Sequence, residues 1–249
     1  MDIKKVILGL TLSLLLGNAV AAINPFKNSI VVASSADDVA FYRGLEAAES
    51  GDFQTSLAEW TPLAEQGHAK AQVGLGRMYY KGDGVPKSYK KAVKWYTKAA
   101  QQGNSKAQYD LGTVYSEGEG VLTDHKAAVK WYTKAAQQGH SYAQFKLGNA
   151  YSKGEGVLKD PKAAVKWYTK AAKLGNGDAQ FNLAISYWEG LGNPKSYLLA
   201  YMWLSLSDFN GAHGAGVARD TLEEFMDLDQ VFKAQEMSIR CLESDYTDC

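Results

Sequence analysis

A block of 36 residues recurs down this 249-residue chain, and Trp95, Trp131, Trp167 and Trp203 hold the same place in each copy. A unit of that length is one supersecondary element that cannot bury its apolar face alone, so the copies must stack on one another rather than close around a single globular core. Other columns keep the same step: Ala71-Gln72 recurs at 107, 143 and 179, Leu75 at 111, 147 and 183, and Tyr79 at 115, 151 and 187. Each unit reads as two helices. Ala107, Leu111, Val114 and Tyr115 fall at i, i+4, i+7 and i+8, and Ala92, Val93, Tyr96, Ala99 and Ala100 cover a broad face of the second segment. Between them lie Gly82-Asp83-Gly84-Val85, Gly118-Glu119-Gly120-Val121 and Gly154-Glu155-Gly156-Val157, degraded to Gly190-Leu191-Gly192-Asn193 in the last copy.

Boundary signals agree with this division. Asp124 and Asp160 are N-cap residues for the second helix, Pro161 suits its first turn, and Gly103, Gly139 and Gly175 supply the left-handed residue that stops it. Ala71 and Gly76, or Ala107 and Gly112, allow close approach of neighbouring helices, and the aromatic residues fill what remains. A Trp buries about 150–250 Å², so Trp131→Ala is expected among the most damaging single changes. Residues 36–67 read as a degenerate leading unit, with Phe41, Leu45 and Ala48 on one helix and Phe53, Leu57, Trp60 and Leu63 on the next. Trp60 lies 7 residues before Gly67, where the later copies have 8, and Pro62 predicts a kink.

The elements A-Q-x-x-L-G-x-x-Y-x-x-G-x-G-V, D-x-x-K-A-A-x-W-Y and A-A-x-x-G resemble the Sel1-like repeat family, relatives of the tetratricopeptide repeats, over residues 68–211. The resemblance implies an all-α, right-handed α-solenoid of helix-turn-helix repeats at 68–103, 104–139, 140–175 and 176–211, and a role as a non-catalytic scaffold or adaptor for proteins or peptides. After Gly211, Ala218–Met226 and Asp229–Ile239 read as two capping helices with a turn near Asp227-Leu228. A stack needs such a cap, because its last face is otherwise open.

The amino terminus has the three parts of a bacterial secretory leader: Lys4-Lys5, an apolar run from Val6 to Leu16, and Ala19-Val20-Ala21 as a cleavage site after Ala21. The run is shorter than the roughly 20 residues of a membrane span. The expectation is a periplasmic or secreted mature protein with a linker at 22–35; the alternative is an uncleaved anchor. Cys241 and Cys249, alone in a chain entering an oxidising space, read as a terminal disulfide, against a pair of exposed thiols on a frayed tail. With no histidine near them they make half a zinc site, and no metal or cofactor is expected.

Lysine and arginine equal aspartate and glutamate at 27 each, yet the balance is local. Two basic residues face seven acidic ones in 22–67, twenty face nine in 68–203, and three face ten in 204–249. Much of the basic charge is a three-by-three grid: Lys90, Lys94 and Lys98; Lys126, Lys130 and Lys134; Lys162, Lys166 and Lys170. A helical wheel turns it to solvent, and the resemblance implies the convex surface. It is either a solvated face covering apolar surface or an electrostatic docking face for anionic envelope polymer. Nucleic acid is not an expected partner, because no groove-reading motif accompanies the charge.

First helices line the concave groove in solenoids of this kind. Tyr109, Phe145 and Phe181 form a column of rings two residues after the shared alanine, beside Asp110, Lys146 and Asn182; Arg77, Thr113 and Asn149 lie further along. This set is the candidate peptide-binding groove, and the competing account is that the rings pack between units. Other sites fare worse. The glycine loops lack a preceding strand and a following Lys-Ser/Thr, so they are connectors rather than phosphate loops. Asp83, Glu119 and Glu155 stand too far apart to share a calcium ion. His68, His125, His140 and His213 form no ligand set. Some cysteine-rich secreted relatives are described as penicillin-binding or β-lactamase-like, and Ser88-Tyr89-Lys90-Lys91 fits S-x-x-K. The same column reads Asp124, Asp160 and Ser196, no Ser-Asp-Asn or Lys-Thr-Gly accompanies it, and helix capping accounts for Ser88. No catalysis is expected.

Overall fold

The computed structural model describes residues 20–24, 29–33 and 35–249, so most of the expected leader lies outside the described residues. The chain divides into two compact units, Met1–Gln102 and Gly103–Cys249.

The first unit opens on a hairpin that no pattern in the sequence predicts. Strands β1 (Val20–Asn24) and β2 (Ser29–Ala33) pair antiparallel, Ala22 opposite Val31, within the stretch assigned to leader and linker. The run Ile30-Val31-Val32 is β-branched, which suits a pleated strand. Four helices follow: α1 (Ala36–Ser50), α2 (Phe53–Glu65), α3 (Ala69–Lys81) and α4 (Tyr89–Gln101). Pro62, where a kink is expected, lies in the last turn of α2, which continues to Glu65. The leading pair is built around Trp60. Its Nε1 donates to Phe41 O at 3.0 Å, and its ring occupies the space left by Gly44 and Gly74.

The second unit holds α5 (Ser105–Glu117), α6 (His125–Gln137), α7 (Ser141–Lys153), α8 (Pro161–Ala172), α9 (Gly177–Glu189), α10 (Tyr197–Phe209), α11 (Ala215–Glu223) and α12 (Leu228–Glu243). First helices therefore begin at 69, 105, 141 and 177, in step with the repeat. Caps set these starts. Asp124 Oδ1 and Asp160 Oδ1 accept from the amides of Ala127 and Ala163, as expected, and Gly103, Gly139 and Gly175 have φ of +89°, +85° and +72°. The first helices are capped by His68, Asn104, His140 and Asn176, the two histidines through Nδ1. An acceptor is what that position requires, which explains why His and Asn share the column. The connecting loops rest on the preceding repeat: a Cβ at Gly156 would collide with His125 O, and one at Gly192 with Pro161 O.

Burial corrects the expected role of the tryptophans. In the first three full repeats Tyr96, Tyr132 and Tyr168 are the buried rings, each 3–4 % exposed, while Trp95, Trp131 and Trp167 are half-buried. The tyrosine lies against a glycine of its own repeat's first helix: a Cβ at Gly76, Gly112 or Gly148 would stand 2.5–2.6 Å from the ring. In the fourth repeat these columns become Ala184 and Leu204, so a methyl appears where the ring disappears. Trp60 stands 36 residues before Tyr96. It belongs to the tyrosine column, and the apparent slip in the leading unit vanishes.

The fourth repeat differs because the cap covers it. Leu198, Met202 and Leu206 occupy the columns of the lysine grid there, Met202 and Leu206 are buried, and Trp203 is 3 % exposed. Leu222 of α11 and Val231, Ala234 and Cys241 of α12 complete that core. Asp227 caps α12 in a reciprocal box with Gln230, at the expected turn. Cys241 and Cys249 are disulfide-bonded. The loop they close carries Tyr246 (φ +63°), whose hydroxyl accepts from Asn210 Nδ2 at 2.7 Å.

Candidate partner-binding surfaces

Helices α5, α7 and α9 set the candidate groove residues of the second unit side by side. The buried tyrosines determine much of what these residues do. Tyr132 Oη donates to Thr113 Oγ1 at 3.3 Å, and Tyr168 Oη donates to Asn149 Oδ1 at 2.7 Å. Burial pushes the Tyr132 hydroxyl up to about 12 and raises Tyr168 as well, so both remain protonated donors. In the fourth repeat the partner positions are Ile185 and Leu204, apolar with apolar. A hydrogen-bonding side chain at 113 and 149 thus meets a tyrosine, and an apolar one at 185 meets a leucine.

The rings of the column are half-buried. Tyr109 stacks on His140 at 4.8 Å and 17°, lies 6.0 Å from Tyr132, and has its hydroxyl raised by burial. Phe145 lies 6.3 Å from Tyr168, and Phe181 packs on the core of the fourth repeat. These contacts support the packing account for the rings. Burial, then Lys106, holds the His140 imidazole below its ordinary range, favouring the neutral form that its capping role needs.

Polar groups remain. Asp110 pairs with Lys106 at 3.4 Å. Asn149 Oδ1 accepts a second bond, from Asn182 Nδ2 at 2.9 Å, which leaves the Asn149 N–H groups for the cleft that this residue lines. That cleft, about 200 Å³, also has Ser116, Tyr132, Lys146, Lys153 and Glu155 on its walls. Burial and the adjacent Glu119 push the nearby Glu117 carboxyl up, while Lys146 draws it down. Asp110, Thr113, Lys146, Asn149 and Asn182 are therefore gathered with Tyr109, Phe145 and Phe181 in one unit, and Arg77 is an exposed residue of the other.

All nine grid lysines are exposed. Lys98, Lys134 and Lys170 lie over the rings of Trp95, Trp131 and Trp167 at 4.7, 4.5 and 4.7 Å, so each half-buried tryptophan lies on the lysine-bearing side of its own helix. Ser88 Oγ accepts from the amide of Lys91 at 3.4 Å, the capping role expected of it. Among the described residues no helix is long and apolar enough to cross a membrane.

The Sel1 repeat model matches residues 69–104, 105–140, 141–176 and 177–207. The chain belongs to the Sel1 repeat family. Sel1 repeats typically mediate protein–protein interaction and are generally of the non-catalytic scaffold type. Among solved structures it is similar to a protective antigen of uropathogenic Escherichia coli with an SLR fold, at 33% identity and a TM-score of 0.76 over 84% of this chain. This Sel1 chain spans 47% of that protein, about half its length. A Sel1 repeat protein from Oxalobacter formigenes is 32% identical with a TM-score of 0.68, over 79% of this chain and 83% of that one. A putative Sel1 repeat protein from Klebsiella pneumoniae, 20% identical with a TM-score of 0.50 over 75% of this chain and 93% of its own, shares the fold. No curated protein sequence matches the chain. The neighbours are α-solenoids, which gives the two stacks of helix pairs their fold class.

Proposed function

We propose that this Sel1 repeat protein is a secreted or periplasmic adaptor without catalytic activity, and that it captures a protein or peptide along the first helices of its second unit. The observation that carries this reading is the cleft at Lys146 and Asn149. There the repeat departs from its own pattern, and Asn149, a residue of the cleft wall, has its carbonyl oxygen doubly engaged, so its amide nitrogen is the group left to donate to a partner. Fixed donors on a rigid scaffold suit recognition of acceptors on an extended chain, backbone carbonyls included. The disulfide supports a working place in an oxidising compartment.

The test is crosslinking of the mature protein in its own cell, followed by the same capture with Lys146→Ala/Asn149→Ala. Loss of the captured partner at unchanged helicity is the expected result, and undiminished capture would overturn the groove. The polar pair is a better probe than Tyr109, Phe145 and Phe181, whose truncation removes packing.

A second reading rests on the lysine face, because none of the nine lysines joins an ion pair among the described residues. On that reading the protein docks on anionic envelope polymer. Such binding should weaken steeply as salt rises through the range where the Debye length falls below about 10 Å. It should also fall when all nine lysines become Gln, whereas groove capture should be less salt-sensitive and should survive that replacement.

A further inference from the structure

A second departure from the repeat lies at the turns that follow the second helices. A buried glutamine stands in the first turn of each first helix, and in three of the four repeats its Oε1 receives an amide from the residue that follows the second helix. Gln102 Nε2 donates to Gln72 Oε1 at 2.8 Å, Gln138 Nε2 to Gln108 Oε1 at 2.8 Å, and Asn210 Nδ2 to Gln180 Oε1 at 2.9 Å. The remaining glutamine, Gln144, is 5 % exposed and donates normally to Ala136 O at 3.1 Å. Its Oε1 has no partner among the described residues, because the donor column reads Leu174 there. Leu174 is itself 55 % exposed. By the geometry of the three complete bridges, Gln144 Oε1 is aimed at the position of residue 174.

That position opens on a cleft of about 350 Å³, walled by Ser141, Tyr142, Leu174, Asp178 and Asn210. Tyr142 is 56 % exposed and offers a ring at the rim, and Asp178 is an exposed carboxylate. The disulfide loop borders the same edge, since Tyr246 bonds Asn210 and stands beside Gly175. A buried acceptor without a donor costs about 1–3 kcal/mol, and the column position that would supply its donor is Leu174, an exposed wall residue of this cleft. An incoming planar N–H donor would satisfy it, and the chain's own bridges show that a carboxamide fits.

We propose that this cleft is a binding site distinct from the groove, for an extended peptide segment in which a planar N–H-donating side chain, Gln or Arg, is flanked by apolar residues. The donor reaches Gln144 Oε1 in place of the missing amide, and the flanking residues cover Leu174 and Tyr142. Asp178 adds a preference for Arg over Gln.

The probes are the blocked tripeptides N-acetyl-Leu-Gln-Leu-amide and its Arg, Ala and Glu counterparts, titrated to millimolar concentration into the isotope-labelled mature chain. The Gln144 side-chain amide and the backbone amides of residues 174–178 should shift with the Gln and Arg peptides, and affinity for the Ala and Glu peptides should be about tenfold weaker or less. Stronger binding of the Arg peptide than of the Gln peptide is the expected order; the reverse order would overturn the role given to Asp178. Leu174→Gln supplies the donor from within. It should abolish the peptide-induced shifts and raise the melting midpoint by about 2–4 °C, so lost binding cannot be ascribed to a damaged fold. Equal response to all four peptides, no response to any, or undiminished binding by Leu174→Gln would overturn the proposal. Lys146→Ala/Asn149→Ala should leave these shifts intact, which separates this site from the groove.

Discussion

The pairing of Gly112 with Tyr132 predicts a coupled response to substitution. A Cβ added at Gly112 would lie 2.6 Å from Tyr132 Cδ1 and 2.7 Å from Cε1, where carbon atoms prefer about 3.5–4.0 Å. The ring must therefore retreat by roughly 1 Å. It has little room, being 4 % exposed and tethered through its hydroxyl to Thr113. Overpacking of this kind costs about 1–3 kcal/mol, against about 1 kcal/mol gained by replacing a mid-helix glycine with alanine. Gly112→Ala alone should be destabilising by up to about 2 kcal/mol. Tyr132→Leu alone should cost about 1–3 kcal/mol, from the lost ring volume and hydroxyl bond. The double variant reproduces the Ala184 and Leu204 of the fourth repeat, because the new methyl fills part of the space that the ring vacates. Its cost should fall short of the summed single costs by at least about 1 kcal/mol, well outside the 0.3–0.5 kcal/mol scatter of independent sites. Urea unfolding followed by circular dichroism measures all four corners of the cycle. Additivity within that scatter, or a Gly112→Ala variant more stable than the parent, would refute the account of the repeat as glycine-for-ring packing.

Three other outcomes follow from the same coordinates. Tyr132→Ala should cost about 3–5 kcal/mol and Trp131→Ala about 1–2 kcal/mol, the reverse of the order suggested by the repeating tryptophans, and calorimetry on the two variants decides it. His140 titrates below its ordinary value of 6.5 in the folded chain, so the folded state binds its proton less readily than the unfolded state does; stability should begin to fall as pH drops below about 6.5 and continue to fall down to the folded value, and His140→Asn should flatten that window in pH-dependent melting. Replacing both Cys241 and Cys249 with Ser should cost about 2–3 kcal/mol by the chain-entropy estimate and release Tyr246 from Asn210, seen as faster amide exchange at residues 241–249 with the upstream repeats unchanged.

Helix pairs, caps and closing helices were legible because each leaves a local mark: a 3.6-residue apolar period, an acceptor before a helix, a glycine after it. The apolar period also sets Tyr96 on the inward face with Ala92 and Ala99, yet the equally strict tryptophan column suggested a larger packing role for Trp131, because ring size and recurrence say nothing of which neighbour faces inward. The decisive signal was present in two places. Glycine and tyrosine give way together to Ala184 and Leu204, and Trp60 keeps a 36-residue step with the tyrosines. Likewise the lysine columns continue as Leu198, Met202 and Leu206, which marks the face that α12 covers. The amide bridges leave no local mark, because donor and acceptor lie 30 residues apart, a spacing that belongs to no helical period.

Departures from the repeat are therefore of two kinds, and only one of them bears on recognition. Ile185 breaks its column but is matched by Leu204, just as Thr113 and Asn149 are matched by tyrosine hydroxyls; these changes compensate one another inside the fold and need no partner. Leu174 is not matched. It leaves Gln144 Oε1 without a donor and places an apolar side chain in solvent, so both sides of the change are unfavourable to the isolated chain. The N–H groups of Asn149 are a milder case, solvated at low cost but held in one direction by two bonds to the oxygen. A residue that breaks the pattern carries information about a partner only to the extent that nothing within the chain answers it. By that criterion the edge at Leu174 ranks above the ring column of Tyr109, Phe145 and Phe181, whose faces are already occupied.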